Sequence, residues 1–156
     1  MADQGTRSFG TPPRWLIPWI TRLTVWLYRV TNGRVGGSQR DMDHVLLTTV
    51  GRRSGEPHTV CLPIWLDDDG IPIVVASYAG ADRNPAWFHN LRDREANPTV
   101  AVMNRADRYD ARARVLDGEC RAVTWAALIA DRPFYEEYQA GTSRTIPLVA
   151  LERATG

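Results

Sequence analysis

The segment at residues 46–63 constrains the chain most, because two β-prone runs flank a tight turn. Residues 46–50 are apolar and β-prone, and residues 59–66 resume an extended, largely apolar run. Between them, residues 51–55 read Gly-Arg-Arg-Ser-Gly. A hairpin tip needs glycine for positive φ, but it has no need of adjacent guanidinium groups. Because arginine forks match phosphate and carboxylate oxygens, the turn predicts either an anion clamp or a solvated hairpin tip.

Length and charge limit the class of protein. A chain of 156 residues can bury one ordinary core as a single domain, and a net charge of +1 predicts no general attraction to nucleic acid. All 19 basic residues are arginine, which is typical of a GC-rich genome. Cys61 and Cys120 lack metal-site spacing and secretory context, so we expect reduced thiols in a cytosolic protein. His44, His58 and His89 also lack ligand spacing, so no metal is expected.

The N-terminal part divides into a polar tail and an amphipathic helix. Residues 1–13 are polar and carry glycine and proline, which predicts disorder. Residues 14–35 contain a helical pattern that stops at Asn32 and Gly33. Its apolar stripe comprises Trp15, Leu16, Trp19, Ile20, Leu23, Trp26, Leu27 and Val30. The segment is too short and too charged to span a bilayer, so the stripe either packs on the domain or lies on a membrane surface.

The rest of the chain, residues 40–153, contains mostly strands. Strands are expected at residues 46–50, 59–66, 71–77, 99–103, 109–116 and 145–151. Helices are expected at 85–95, 118–130 and 133–139, the first of them capped by Asn84 with Pro85 at its first position. Six antiparallel strands with flanking helices predict an α+β, mainly β fold, in which a barrel closes to protect its edges.

Six motifs occur in order between about residues 40 and 153. They are Leu-Leu-Thr-Thr-Val-Gly-Arg-Arg-Ser-Gly-Glu-Pro at 46–57, Val-Val-Ala-Ser at 74–77, Asn-Pro-Ala-Trp-Phe-His-Asn-Leu at 84–91, Asn-Pro-Thr-Val at 97–100, Tyr-Glu-Glu-Tyr-Gln at 135–139 and Ser-Arg-Thr-Ile-Pro-Leu-Val at 143–149. Together they resemble the pattern of the deazaflavin-dependent nitroreductases, also described as F420H2-dependent quinone reductases. The resemblance implies a split β-barrel of the FMN-binding type that uses coenzyme F420, an 8-hydroxy-5-deazaflavin.

The resemblance also implies a set of coenzyme-binding residues. In this pattern Arg52, Arg53 and Ser54 bind the coenzyme's phosphate. At the position of His58, beside them, the family usually has an arginine or lysine. A neutral imidazole binds an anion more weakly than either. The strand beneath the deazaflavin ring comprises His58, Thr59, Val60, Cys61, Leu62 and Pro63. The opposite wall comprises Val75, Ala76, Ser77 and Tyr78, and the covering helix supplies Ala86, Trp87, Phe88, His89 and Asn90.

The implied activity is hydride transfer from reduced F420 to a quinone or nitro-aromatic acceptor. A hydroxyl beside the acceptor would stabilise its charge or deliver a proton. Tyr135 and Tyr138 share one face of a short helix and match family tyrosines that line the substrate pocket. The resemblance also places Tyr135 at the coenzyme. Ser77 is the other candidate donor. Either tyrosine could equally be an ordinary core residue.

Two alternatives remain open from the sequence. The first is an FMN-dependent oxidoreductase on the same barrel, and the second is a non-catalytic carrier of deazaflavin, haem or lipid. The expected location is cytoplasmic, with peripheral contact to the inner face of the membrane through residues 14–30 as one possibility. The sequence leaves the oligomeric state open.

Overall fold

Antiparallel strands and four helices form the fold in a computed structural model that describes residues 17–35, 38–39 and 42–155. In chain order the elements are α1 (Ile17–Thr31), β1 (Ser38–Gln39), β2 (Met42–Val50), β3 (Pro57–Leu66), β4 (Pro72–Val75), α2 (Ala86–Arg92), β5 (Val100–Asn104), β6 (Asp107–Val115), α3 (Gly118–Asp131), α4 (Phe134–Ala140) and β7 (Leu148–Arg153). The predicted disordered tail at residues 1–13 lies outside the described residues, as does the predicted start of the first helix.

Six strands close into a barrel in the order β2, β3, β4, β7, β6 and β5, and β5 pairs again with β2. All of these pairings are antiparallel. β2 joins the two ends of the sheet, since Leu46, Leu47 and Thr48 pair with β5 while the same strand pairs with β3. The predicted split barrel is therefore confirmed. The two-residue β1 adds a short pairing at the start of β2.

The strands β2 and β4 are largely buried on both faces, which explains their nearly continuous apolar runs, whereas β6 alternates buried and exposed residues. On β2, Val45 and Leu47 face the barrel interior, whereas Leu46 belongs to a cluster under α1. On β4, Val74 faces the interior and Ile73 lies in a second cluster with residues of α3 and α4. The helices therefore cover part of the outer surface of a barrel whose interior is filled by apolar side chains.

α2 supplies side chains to the barrel interior, where Trp87, Phe88 and Leu91 join the same cluster as the strands. The predicted cap at Asn84 is wrong. Extended Pro85, with ψ of 155°, occupies the cap position without a side-chain hydrogen bond. The amide oxygen of Asn84 accepts from the Arg144 guanidinium at 2.8 Å, so this side chain is committed to a tertiary contact.

α2 also ends earlier than the sequence predicts, at Arg92 and not at residue 95. Asp93 leaves the helical conformation, and its side chain accepts a hydrogen bond from the Ala96 N–H at 3.2 Å. Its carbonyl accepts from the Asn97 N–H at 2.8 Å. Aspartate commonly offers the backbone such local bonds, and here they replace the last helical turn.

α1 packs on the barrel through a face that is not the predicted stripe. Val25 and Tyr28 are buried beside Leu46, and the Tyr28 hydroxyl donates to the His44 carbonyl at 2.7 Å and accepts from the Arg105 N–H at 2.8 Å. The opposite side of the helix carries an exposed stripe, comprising Trp19, Leu23, Trp26 and Val30, each more than half exposed. Among the described residues, no helix has the length and apolarity needed to cross a bilayer.

Candidate active site

The arginine turn between β2 and β3 has a shape that its own residues fix. The Gly51 N–H donates to the Glu56 carbonyl and the Gly55 N–H to the Gly51 carbonyl, both at 2.8 Å. Gly55 has φ of +68°, and a Cβ on Gly51 would lie only 2.4 Å from the Ser54 hydroxyl. That hydroxyl accepts the Glu56 N–H at 3.2 Å and lies 3.1 Å from Nε2 of His58. Gly55 therefore supplies a positive φ, and at Gly51 a larger residue would displace the side chains of Ser54 and His58.

Two buried asparagines attach this turn to the rest of the barrel. Asn97 accepts the Val50 N–H at 2.7 Å and donates to the carbonyls of Val50 and Asn90, both at 2.9 Å. The Asn90 side-chain oxygen in turn accepts from the guanidinium of Arg52 at 3.3 Å. Arg53 makes no hydrogen bond or ion pair within the described part of the chain. One arginine is thus oriented by the protein, and the other remains available to a ligand.

The turn, α1 and the start of α2 line a cleft that consists of two adjoining cavities. We call the first, of about 1110 Å³, the basic cavity, and the second, of about 820 Å³, the aromatic cavity. Both are lined by Thr21, Arg52, Val60, Ala86 and Trp87, so they lie side by side along one wall. A ligand with one anionic end and one planar end could therefore occupy both.

The basic cavity concentrates positive charge from two separate elements. Its lining includes Arg22 and Arg29 of α1 and Arg52 and Arg53 of the turn, against the single carboxylate of Glu56 among the described lining residues. Guanidinium groups bind phosphate and carboxylate oxygens bidentately. This donor set fits the phosphate-bearing part of a cofactor such as F420 or FMN.

Helix α1 reaches the cleft by a direct contact with β3. Nη2 of Arg29 donates to the Thr59 hydroxyl at 3.1 Å, and the hydroxyls of Thr59 and Thr48 lie 2.8 Å apart. This contact places the basic residues of α1 opposite the arginine turn. The positive charge of the cavity thus depends on how α1 docks.

The aromatic cavity has walls suited to a planar ring. Trp87 and the strand residues Val60, Cys61 and Leu62 line it, and Tyr78 stands at its edge with 49% of its surface exposed. Burial raises the pKa of the Cys61 thiol to about 11, so at neutral pH this residue acts as an apolar wall. No group of three or more His, Cys, Asp or Glu side chains in the described ranges could hold a metal ion.

Most of the residues predicted to bind the coenzyme come together at this cleft. Those that line it are Arg52, Arg53, Ser54, His58, Thr59, Val60, Cys61, Leu62, Tyr78, Ala86, Trp87, His89 and Asn90. Six others lie outside the lining, and Tyr135 of α4 is one of them. Ala76 and Phe88 are buried in the barrel interior, Val75 packs in the second cluster, Pro63 pairs with His44, and Ser77 directly precedes Tyr78. The roles assigned to all of these residues remain predictions.

The two tyrosines predicted as proton donors lie elsewhere in the structure. Tyr135 and Tyr138 belong to α4 and pack with the second cluster, and their ring centroids are 6.0 Å apart. Tyr135 is only 4% exposed, and burial raises its pKa to about 12. Neither lines the basic or the aromatic cavity, whereas Tyr78 lines the aromatic one. A donor role for Tyr135 or Tyr138 therefore remains a prediction from the sequence, since neither side chain lines the cleft.

Sequence reasoning missed the contribution of α1. It assigned no role at the cleft to Arg22, Arg29, Thr21 or Thr24, although all four line it. Arg22 and Arg29 are seven residues apart, which puts both on one helix face, and this spacing was the available signal. The signal could not show that this face turns towards the arginine turn.

The closed barrel and its cleft define a split β-barrel protein whose cleft has a basic end and an aromatic end. The chain belongs to the F420H(2)-dependent quinone reductase family, whose model matches residues 19–153. It is 34% identical over 141 residues to an F420H(2)-dependent quinone reductase of Mycobacterium tuberculosis, which covers 86% of this chain and 90% of that protein.

Two solved structures are also similar to this chain. An F420-H2 dependent reductase is 37% identical and superposes with a TM-score of 0.58, covering 70% of this chain and 93% of that one. A chain described as a domain-swapped dimer is 33% identical with a TM-score of 0.62, covering 91% of this chain and 100% of that one. Both similarities extend over most of the barrel, so they support the fold assignment directly.

Proposed function

We propose that the protein is an oxidoreductase that transfers hydride from reduced coenzyme F420 to a quinone or nitro-aromatic acceptor. The observation that carries this proposal is the cleft of two adjoining cavities. Four guanidinium groups line the basic cavity, and the side chains of Tyr78 and Trp87 line the aromatic cavity. Membership of the F420H(2)-dependent quinone reductase family supports the choice of cofactor. The name of the mycobacterial relative supports a quinone as acceptor.

In this proposal the residues of the cleft bind and orient the reactants. Arg52, Arg53 and Ser54 bind the phosphate, because all three line the basic cavity at one end of the cleft. When bound, the reduced deazaflavin supplies the hydride. The half-buried side chains of Cys61 and Leu62 line the other end and exclude water from that side of the ring.

A reduced acceptor gains negative charge and must also gain a proton. Tyr78 is the tyrosine that lines the aromatic cavity, and the guanidinium of Arg83 lies 5.6 Å from the centroid of its ring. A phenolic hydroxyl at this place can donate a hydrogen bond to the acceptor oxygen, and the nearby cation favours developing negative charge. We therefore add Tyr78 to the sequence-predicted donors Ser77, Tyr135 and Tyr138.

Equilibrium titration of the purified chain with F420, FMN and FAD tests the proposal. We expect binding of F420 in preference to both flavins, together with oxidation of reduced F420 that depends on added menadione or 4-nitrobenzoate. Preferred binding of FMN, with the visible flavin absorption band that a deazaflavin lacks, would support the FMN-dependent alternative. Binding of F420 without any acceptor-dependent oxidation would support the carrier.

We further propose that the exposed stripe of α1 contacts an anionic membrane surface. Trp19, Leu23, Trp26 and Val30 are each more than half exposed, and residues 17–35 contain three arginines but no aspartate or glutamate. Tryptophan favours the bilayer interface, and each arginine near an anionic leaflet contributes about 1 kcal/mol. A lipid-soluble quinone would then reach the cleft, which α1 also lines.

Substitution of the stripe tests this placement without removing the docked face of α1. The triple variant Trp19→Gln, Leu23→Gln, Val30→Gln changes residues that line neither cavity. We expect the full chain, and not this variant, to co-sediment with phosphatidylglycerol vesicles. Val123→Gln is a matched control, because Val123 on α3 is as exposed as Trp19. A variant that binds vesicles normally but changes the oligomeric state would assign the stripe to a second copy of the chain.

A further inference from the structure

The guanidinium of Arg144 connects four groups of the loop between β4 and α2. Nε donates to the Ala81 carbonyl at 2.8 Å, and Nη1 donates to the Asn84 side chain at 2.8 Å. Nη2 donates to the carbonyls of Ala76 and Ser77 at 3.1 and 2.8 Å. One side chain therefore binds both ends of a loop of about nine residues. Arginine can do this because its donors point in several fixed directions from one plane.

The loop that Arg144 encloses has an unfavourable backbone conformation. Tyr78 and Ala79 have φ of +47° and +52°, in the left-handed region that residues with a Cβ seldom adopt. Gly80 continues with φ of +77°, and a Cβ there would lie 3.1 Å from the Tyr138 carbonyl of α4. Such a conformation persists only where surrounding contacts determine it, and the Arg144 hydrogen bonds are the contacts that span it.

Arg144 is itself held in place by its neighbours. The Gln139 side chain of α4 donates to the Arg144 carbonyl at 2.7 Å and accepts from the Ile146 N–H at 2.9 Å. The Thr142 hydroxyl donates to the Asp82 carboxylate at 3.0 Å, which adds a second link between the two segments. The connection from α4 to β7 is thus a rigid support for the loop.

We propose that Arg144 is a positioning residue that fixes Tyr78 as the wall of the aromatic cavity and thereby sets the affinity for the acceptor. The inference rests on the proposed function, because it places the deazaflavin ring against Cys61 and Leu62 of the aromatic cavity and the acceptor against Tyr78 of the same cavity. Tyr78 does not line the basic cavity, where the coenzyme's phosphate is proposed to bind. Loss of the Arg144 contacts should therefore affect the acceptor most, while the coenzyme keeps its phosphate contacts.

Two variants of Arg144 and one matched control test the inference. Arg144→Gln removes the branched donor set. Arg144→Lys keeps the charge but donates from one nitrogen, so it cannot reach acceptors on both sides of the loop. Arg121→Gln is the control, because Arg121 donates to the Ile146 carbonyl of the same connection at 2.7 Å but makes no hydrogen bond with the described residues of the loop.

Hydrogen exchange of the ligand-free protein measures the loop directly. The N–H groups of Gly80 and Ala81 donate to the carbonyls of Ser77 and Tyr78 at 3.0 and 3.1 Å. We expect Arg144→Gln to speed exchange of these two amides by about tenfold or more, Arg144→Lys to have a smaller effect, and Arg121→Gln to have none. The amides of β7 should keep their protection in all three variants. Unchanged exchange at Gly80 and Ala81 would overturn the inference.

Steady-state kinetics with reduced F420 and menadione separate positioning from a purely structural role. We expect Arg144→Gln to raise the KM for menadione by about fivefold or more and to leave the Kd for F420 within about twofold, with Arg144→Lys intermediate. A loop that exchanges faster while the KM stays unchanged would reduce Arg144 to a structural role. A wild-type chain that neither binds F420 nor oxidises it would refute the proposed function, while the exchange experiment would still decide whether Arg144 holds the loop.

Discussion

The side chain of Asn97 shows how one buried amide can position a whole site. It bonds both the N–H and the carbonyl of Val50, the last residue of β2, and it is 2% exposed. These backbone groups lie next to the point where the chain turns at Gly51, and the amide satisfies them in place of another strand. Asn97 also bonds the carbonyl of Asn90, whose side chain orients Arg52. The arginine turn is thus built on the barrel by two amides.

The first prediction at this scale concerns the arginines of the turn. We expect the double variant Arg52→Ala, Arg53→Ala to bind F420 more than tenfold less tightly, since each charged hydrogen bond to phosphate contributes roughly 1.5–3 kcal/mol. Fluorescence titration of F420 measures the loss, and circular dichroism shows whether the fold is retained. Arg112→Ala is the control, because Arg112 on β6 is exposed and lines neither cavity. Equal affinity of the double variant and the wild-type chain would remove the phosphate from the turn.

A second residue-scale prediction distinguishes the candidate hydroxyl donors. We expect Tyr78→Phe to lower kcat with menadione by about tenfold or more, because it removes a hydroxyl that lies at the aromatic cavity. Tyr135→Phe and Tyr138→Phe should have little effect, because their rings pack in the second cluster. Stopped-flow oxidation of reduced F420 compares the three variants at equal protein concentration. If Tyr138→Phe alone slowed the reaction, the donor predicted from the sequence would be correct and Tyr78 would not.

Among the elements, α1 shows best where sequence reasoning stops. Helical spacing predicts both the helix and its apolar stripe, and the structure contains both. It cannot predict which face docks, because the docked face of Val25 and Tyr28 looks less apolar than the stripe. This face docks because the Tyr28 hydroxyl bonds a carbonyl of β2 and the N–H of Arg105. Both groups are distant from Tyr28 in the sequence. Tertiary hydrogen bonds of this kind leave no periodic signal.

The strands and most of the residues that line the cleft could be predicted, because their signals are local in the sequence. Strands buried on both faces give apolar runs such as that of β4, which are visible without any knowledge of the partners. The arginine turn and α2 are each short, continuous segments. A sequence motif in either one therefore includes several of the residues that line the cleft. The wall formed by Tyr78 could be predicted only as a segment, since its conformation depends on Arg144, more than sixty residues later.

The docking of α1 leads to a prediction for the element as a whole. Tyr28→Phe should lower the free energy of unfolding by about 1 kcal/mol or more, because it leaves a part-buried carbonyl and N–H without their partner. Urea denaturation measures the change, and hydrogen exchange should show faster exchange in α1 than in the barrel strands. Tyr109→Phe is a suitable comparison, because Tyr109 is half-buried and its hydroxyl makes no hydrogen bond within the described residues. Equal losses in the two variants would mean that the Tyr28 hydroxyl does not hold the helix.

At the scale of the whole molecule, the fold separates three apolar clusters around one closed sheet. The first fills the barrel, the second lies under α3 and α4, and the third lies under α1. The cleft forms beside the third cluster, where α1 covers the sheet only in part. Tyr135 and Tyr138 pack in the second cluster and therefore do not line the cleft. The same arrangement therefore determines both where ligands can bind and which groups resist titration.

The buried position of Tyr135 makes the stability of the molecule depend on alkaline pH. Burial raises its pKa from the ordinary value of 10.0 to about 12, with a smaller increase from Tyr138. The folded state therefore keeps the phenol neutral while the unfolded state ionises. The stabilising contribution is complete below about pH 10 and is lost as the pH rises towards 12.

This shift gives a prediction for alkaline pH. Between about pH 8 and about pH 11, we expect the free energy of unfolding of the wild-type chain to fall by roughly 1.4 kcal/mol more than that of Tyr135→Phe. Urea denaturation of both proteins at the two pH values measures the difference, and other groups that titrate in this range, such as Cys61, are present in both. Equal losses would show that Tyr135 ionises as readily in the folded protein as in the unfolded chain.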